Sequence, residues 1–173
     1  IANVFIQESS EEKMSDRGFS NENKEEIRIF RAEARFLRAL SYFHAMDMFG
    51  NIPFVDETTP IGTNDVPQIL RPDLFNWIES ELLDVEDILL SPTLVPYGRA
   101  SKAAAQSLLA KMYLNAEVYT GISRWTDCIN YCNKVINDGS FSLDDNYSHL
   151  FMADNHNSPE IIFPVCFDGN FTQ

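Results

Sequence analysis

The chain has 173 residues, 45% of them hydrophobic and 23% charged; that is enough for one domain with its own core, and it excludes a disordered or fibrous class. Its formal net charge of -13 repels polyphosphate and anionic bilayers alike, so nucleic acid is not an expected partner, and most of the acids are expected on solvated helix faces. No apolar run reaches the roughly 18 residues of a membrane span, and the first residues lack the basic start and long apolar centre of a signal peptide. The cysteines, Cys128, Cys132 and Cys166, are too few for a disulfide framework.

Residues 1–11 begin without a cap, like a helix entered partway, so the chain reads as a single segment truncated at both ends. A polar stretch, 9–20, precedes a long helix that Ser20 or Asn21 caps and Gly50 stops in a left-handed conformation. Within it Ile27, Phe30, Ala34, Leu37, Ser41 and His44 form one face, and Ile29, Phe36, Leu40 and Phe43 an adjacent one. So wide an arc predicts a helix sandwiched between others. Residues 52–55 are apolar but interrupted by Pro53, and 56–70 are rich in Thr, Pro and Asn, which predicts an extended excursion.

Pro72 then opens a helix carrying Leu74, Ile78, Leu82, Val85 and Leu89 at three-to-four spacing, and it ends before Ser91 and Pro92. After a loop through Pro96, Tyr97 and Gly98, Ser101 caps a helix with Ala104, Leu108, Met112 and Ala116 on one face and Leu109, Tyr113 and Val118 beside it. Ser123 is the expected cap of a last helix over 124–138, which Gly139 ends. Residues 141–143 and 160–167 read as strands, and 147–152 as a helical turn.

An internal repeat runs through this pattern. Leu37, Ala39, Tyr42 and Phe43 recur at constant offset as Leu108, Ala110, Tyr113 and Leu114, and Ile78, Leu82 and Val85 correspond to Cys128, Cys132 and Val135. This is the packing pattern of tetratricopeptide helix pairs, with Ala110 in place of the usual glycine. Two pairs are expected, 21–90 and 102–138, with Phe36, Leu37, Tyr42, Leu108, Tyr113 and Trp125 buried.

The block Glu33-Ala34-Arg35-Phe36-Leu37-Arg38-Ala39-Leu40-Ser41-Tyr42-Phe43, followed by Phe49-Gly50-Asn51-Ile52-Pro53-Phe54-Val55, closely resembles the hallmark of the SusD/RagB family. A second block, Gly98-Arg99-Ala100-Ser101-Lys102-Ala103-Ala104-Ala105 running into Leu108 to Leu114, resembles the family's next signature, with Ala103 where glycine is common. Ser158-Pro159-Glu160-Ile161-Ile162-Phe163 resembles a third. The resemblance spans nearly the whole chain but only the first half or so of a family member. It implies a mostly α fold, a SusD-like α-α superhelix of tetratricopeptide-like hairpins with short strands near the C-terminal end. It further implies a Bacteroidetes nutrient-binding, glycan-binding lipoprotein at the outer-membrane surface, non-enzymatic, whose lipid anchor lies outside this chain and whose partner is a TonB-dependent SusC-like transporter. The rival is a tetratricopeptide adaptor that grips peptides in a concave groove; polar groove-facing side chains would mark it, whereas these inner helices read as apolar on both sides.

The family supplies no ligand motif to carry over, so candidate contacts come from residue chemistry. Sugar binding needs an exposed ring for the apolar face of the sugar and amides or carboxylates for its hydroxyls. Tyr97, Phe54, Tyr119 and Phe171 lie near loops or ends, and Asp154, Asn155 and Asn157 form a polar cluster around His156. A polar turn is the plainer account of that cluster. Trp77 and Trp125 sit at helix-packing phase and read as core. Glu79, Glu81, Asp84, Glu86 and Asp87 could suggest a glycosidase pair but read as one solvated helix face. Cys128 and Cys132, one turn apart, read as core thiols rather than metal ligands, His44 as a boundary histidine, and Asp144, Asp145 and Asp154 as loop acids without a calcium-loop pattern. Neither cofactor nor metal is expected.

Overall fold

The computed structural model describes residues 1–166. Serine hydroxyls fix where three helices begin: Ser10 accepts from the Lys13 amide, Ser20 from Asn23 and Ser101 from Ala104. The helices are α1 (Ala2–Glu8), α2 (Glu11–Asp16), α3 (Asn21–Phe49), α4 (Arg71–Glu86), α5 (Lys102–Leu114), α6 (Ala116–Thr120) and α7 (Trp125–Asp138). The stretch expected to be a polar linker thus contains α2, anchored by the buried Met14. Between α3 and α4, β1 (Ile52–Pro53) pairs antiparallel with β2 (Gln68–Ile69), Ile52 opposite Ile69, which closes the excursion at its base. Asn51 Oδ1 accepts the Arg71 amide 2.8 Å away and starts α4.

Three sequence expectations need correction here. The helix expected to run past Ala116 breaks at Asn115, and Gly121, at φ 80°, stops α6. Ser123 does not cap α7; Arg124 occupies that position, with no side-chain bond to the helix amides. Neither 141–143 nor 160–166 forms a strand; the Ser142 amide donates to the Pro159 carbonyl at 3.3 Å and the Asp144 amide to Glu160 Oε1 at 2.7 Å, and no ladder follows among the described residues. Phe167, at the end of that expected strand, lies outside the described residues.

The helices stack as two antiparallel pairs, α3 with α4 and α5 with α7, joined by α4 against α5. α5 is buried over most of its circumference, from Ala103 through Leu109 to Tyr113, with only the Ser107, Lys111 and Leu114 side partly open. α3 is not. Its buried stripe is Ala32, Phe36, Ala39, Phe43 and Met46, while Leu37 is 47% exposed and Ser41, His44 and Met48 face solvent. The sandwich expected for α3 fails because α4 covers one flank and the short α1 only part of another. Trp125 and Cys132, expected in the core, are exposed, because α7 lies at the edge of the stack and turns only Cys128, Tyr131 and Val135 toward α5. Among the described residues no helix is long and apolar enough to cross a membrane.

The acids of α4 overturn another expectation. Glu81 and Glu86 are 8% and 7% exposed, and each joins helices. Glu81 accepts from Arg35 and Arg38 of α3, and Arg38 also reaches Glu57 in the excursion. Glu86 accepts from Gln106 of α5 and from Tyr131 and Lys134 of α7. Glu79 accepts the Tyr113 hydroxyl at 2.7 Å and Arg124 at 3.0 Å. Buried carboxylates persist only when their lone pairs are met. Here they pin α4 to α3, α5 and α7, and only Asp84 and Asp87 keep the solvated role.

Candidate functional site

Two loops meet beside the second helix pair. Gly98 has φ +84°, and a Cβ built on it would stand 2.8 Å from Cys166 Sγ, so only glycine lets the late chain segment lie against this loop. Arg99 holds the loop to α3 through a two-pronged contact with Glu33, at 3.0 and 2.6 Å, and lies over the Phe30 ring. Tyr97, exposed, turns its ring edge to His156 at 6.2 Å. It also lines a hollow of about 190 Å³ with Pro92, Val95, Phe141, Ile162 and Pro164.

The partner loop is built from two 3-10 turns, Tyr147–Phe151 and Asn155–Asn157. Asn146 Oδ1 accepts the Ser148 amide and starts the first. Asn155 Nδ2 donates to the Leu150 carbonyl and ties the second turn to it, while Asn157 Nδ2 donates to the Asp154 carbonyl. Asp144 Oδ1 accepts the Asn146 amide and lies 3.0 Å from His149 Nδ1. The hydrogen bond from the Asn146 amide, helped against desolvation by His149, holds the Asp144 carboxyl below the usual carboxylate range. Asp144, His149, Met152, Asp154, Asn155 and Asn157 surround a hollow of about 250 Å³.

Next to this hollow stands a pair of rings. Tyr147 and Phe151 are 75% and 72% exposed, their centroids 5.2 Å apart at 65°. Rings left open to water on a turn braced by side-chain hydrogen bonds, with carboxylates and amides adjoining, are the two parts that sugar recognition combines.

Tyr97, Asp154, Asn155 and Asn157 therefore gather around these loops, whereas Phe54 and Tyr119 do not join them. Phe54 packs half-buried against Tyr42 and Trp77, with centroids 5.2 and 4.9 Å away. Tyr119 is buried under Arg71, and its hydroxyl donates to Asp47 at 2.7 Å; burial and that bond push the phenol up to about 12. Phe171 lies outside the described residues. Residue reasoning passed over Tyr147 and Phe151, although two rings four apart in an otherwise polar loop could have marked them. A larger hollow, about 670 Å³, lies between α1 and α3, but its cation, Arg38, is committed to Glu57 and Glu81. Among the described residues no three of His, Cys, Asp and Glu cluster to hold a metal.

Residues 8–114 match the SusD-like family model described as starch-binding and associating with the outer membrane. The chain is 42% identical over 144 residues to the starch-binding protein SusD of Bacteroides thetaiotaomicron, an alignment covering 80% of this chain and 25% of SusD. A solved SusD homologue from the same species superposes with a TM-score of 0.75 at 27% identity, over 87% of this chain and 29% of that one. A solved laminarin-binding SusD-like protein superposes with a TM-score of 0.71 at 27% identity, over 94% and 34%. The chain thus spans about a quarter of the length of the curated relatives it matches.

Proposed function

The chain belongs to the SusD-like family, and on that premise we propose that it is the helical scaffold of a carbohydrate-binding protein with no catalysis of its own. The observation that carries this is the exposed Tyr147 and Phe151 pair beside the hollow of Asp144, Asp154, Asn155 and Asn157. A saccharide would lay its apolar face on the rings and turn its hydroxyls to the acids and amides. Named relatives bind starch and laminarin, so the proposed ligand class is soluble glucan. In the intact protein we place this scaffold at the outer-membrane surface, lipid-anchored through a segment outside the chain and working with a TonB-dependent SusC-like transporter.

The adaptor alternative has less support. It requires exposed ligand-facing side chains along the inner helices, and Tyr113 is buried while Tyr42 is half-buried with its hydroxyl donating to the Val55 carbonyl. The test is a panel of soluble polysaccharides, including starch and laminarin, titrated into the full-length protein by calorimetry, with peptides as control. Glucan binding is expected. Binding of peptides alone would sink the proposal, as would release of reducing sugar that Asp154→Asn abolishes.

A further inference from the structure

The hollow beside the Tyr147 and Phe151 rings is better supplied with acceptors than with donors. The side-chain nitrogens of Asn155 and Asn157 are turned to the loop's own carbonyls, those of Leu150 and Asp154, which leaves their oxygens for a ligand. Asp144 and Asp154 add carboxylates to the lining, and an ionised carboxylate accepts without donating. The charge around the hollow has one sign. Residues 135–173 contain Asp138, Asp144, Asp145, Asp154, Glu160 and Asp168 but no lysine or arginine. Cations on the flanking elements are committed elsewhere: Arg99 holds Glu33 through both prongs, Lys102 holds Asp87 at 2.7 Å and Lys134 holds Glu86 at 2.8 Å. Lys111 stands in a separate groove with Phe36, Leu40 and Phe163.

A sugar hydroxyl brings the proton that such a lining lacks. A uronate or sulfate group brings another acceptor and a negative charge, and it calls for arginine or lysine to meet it. We infer that this loop selects by charge: it admits neutral glycans and rejects carboxylated or sulfated glycans of the same backbone, with Asp145 a specificity-determining residue beside the hollow. The inference rests on the carbohydrate reading of the ring pair and adds the class of saccharide that is turned away. Such selection works by repelling the wrong ligand, without any added contact to the right one. In dilute salt a carboxylate at roughly 8 Å disfavours a bound anion about twofold, so Asp144, Asp145 and Asp154 together give about tenfold. Added salt screens the effect.

Asp145 allows the charge to be changed without touching the lining, since it is exposed and lies between Asp144 and Tyr147 in the chain. The probes are laminarin and soluble starch oxidised at C6 to carry uronate groups, each compared with the neutral methylamide of the same preparation. Calorimetry uses the full-length protein at about pH 8, above the range where imidazoles titrate, so that His149 and His156 do not mask the effect. In about 10 mM salt the uronate form should bind about tenfold more weakly than the amide, and in about 300 mM salt the gap should fall below about threefold. Asp145→Lys should narrow the dilute-salt gap about fivefold and leave the amide's affinity unchanged, and Asp145→Asn should narrow it about twofold. Equal binding of the two forms in dilute salt would overturn this inference alone, as would a gap that neither salt nor Asp145→Lys moves. Failure of the neutral amides to bind would overturn the carbohydrate reading and this inference together.

Discussion

Identical residue types in the two repeats meet different fates. Leu37 and Leu108 occupy equivalent repeat positions, yet Leu108 is buried between helices while Leu37 is half in water. Leu108→Ala should therefore cost about 2–5 kcal/mol, the range for emptying a core site. Leu37→Ala should stay under about 1 kcal/mol in this chain, since surface changes are seldom larger. Urea denaturation of both variants measures the difference, and equal losses would mean that α3 is covered on that flank as well. Glu86 supports a second prediction. Burial opposes its charge, but Lys134, Gln106 and Tyr131 outweigh that and hold its carboxyl below the ordinary range. Its folded pKa thus lies below the unfolded value of about 4.3, so its contribution is complete above that pH and fades as pH falls through the folded value, where the unfolded chain binds the proton first. Glu86→Gln should lower stability by similar amounts at pH 7 and pH 5 and flatten the further loss below about pH 4, as urea midpoints at pH 7, 5 and 3 would show.

At the scale of elements, helices were legible wherever a cap and an apolar period agreed. α4 carries Leu74, Ile78, Leu82 and Val85 inward as its spacing requires, and Ser20 and Ser101 cap as serine hydroxyls before a helix do. The face that each helix buries was less legible, because periodicity marks an apolar stripe without saying whether a neighbour exists to cover it. Trp125 and Cys132 share the apolar character of α7, and among the described residues nothing buries them. The acids of α4 were misjudged for a related reason: a carboxylate and its arginine lie over forty residues apart in sequence, as Glu81 and Arg35 do, and no local pattern announces the pair. The candidate loops were half legible, since polar residues could be named but their convergence depends on Gly98 and on the Asp144 network. The Ser101 cap, itself buried, gives a test at this scale. Ser101→Ala removes the buried hydroxyl that accepts from the Ala104 amide, leaving that amide only the Ser101 carbonyl at 3.0 Å, and should cost about 0.5–2 kcal/mol in thermal or urea melts. A loss near zero would mean that water replaces the hydroxyl.

For the whole molecule, an apolar interior cross-tied by buried ion pairs makes the stacked helices a stiff support, and recognition is left to what projects from it. Binding and folding should then separate by mutation. Tyr147→Ala and Phe151→Ala remove exposed rings, so each should leave stability within about 0.5 kcal/mol. Each should weaken glucan binding by the full-length protein by roughly 1–3 kcal/mol if the rings carry a sugar, taking the stacking of a ring on a flat ligand as the guide. Asp154→Lys tests whether the same loop also faces the proposed transporter. The change places a cation on an exposed turn, with little consequence for folding, and if the loop faces the transporter it reverses charge at the contact. Co-purification of the full-length protein from outer membranes in mild detergent, with Asp154→Lys beside Leu108→Ala, distinguishes the effects. The core variant should yield less protein but the same ratio of transporter to protein, and the loop variant the same yield with a lower ratio. Unchanged ratios in both would move the docking surface away from this loop, and no transporter in the unmutated preparation would refute the partnership itself.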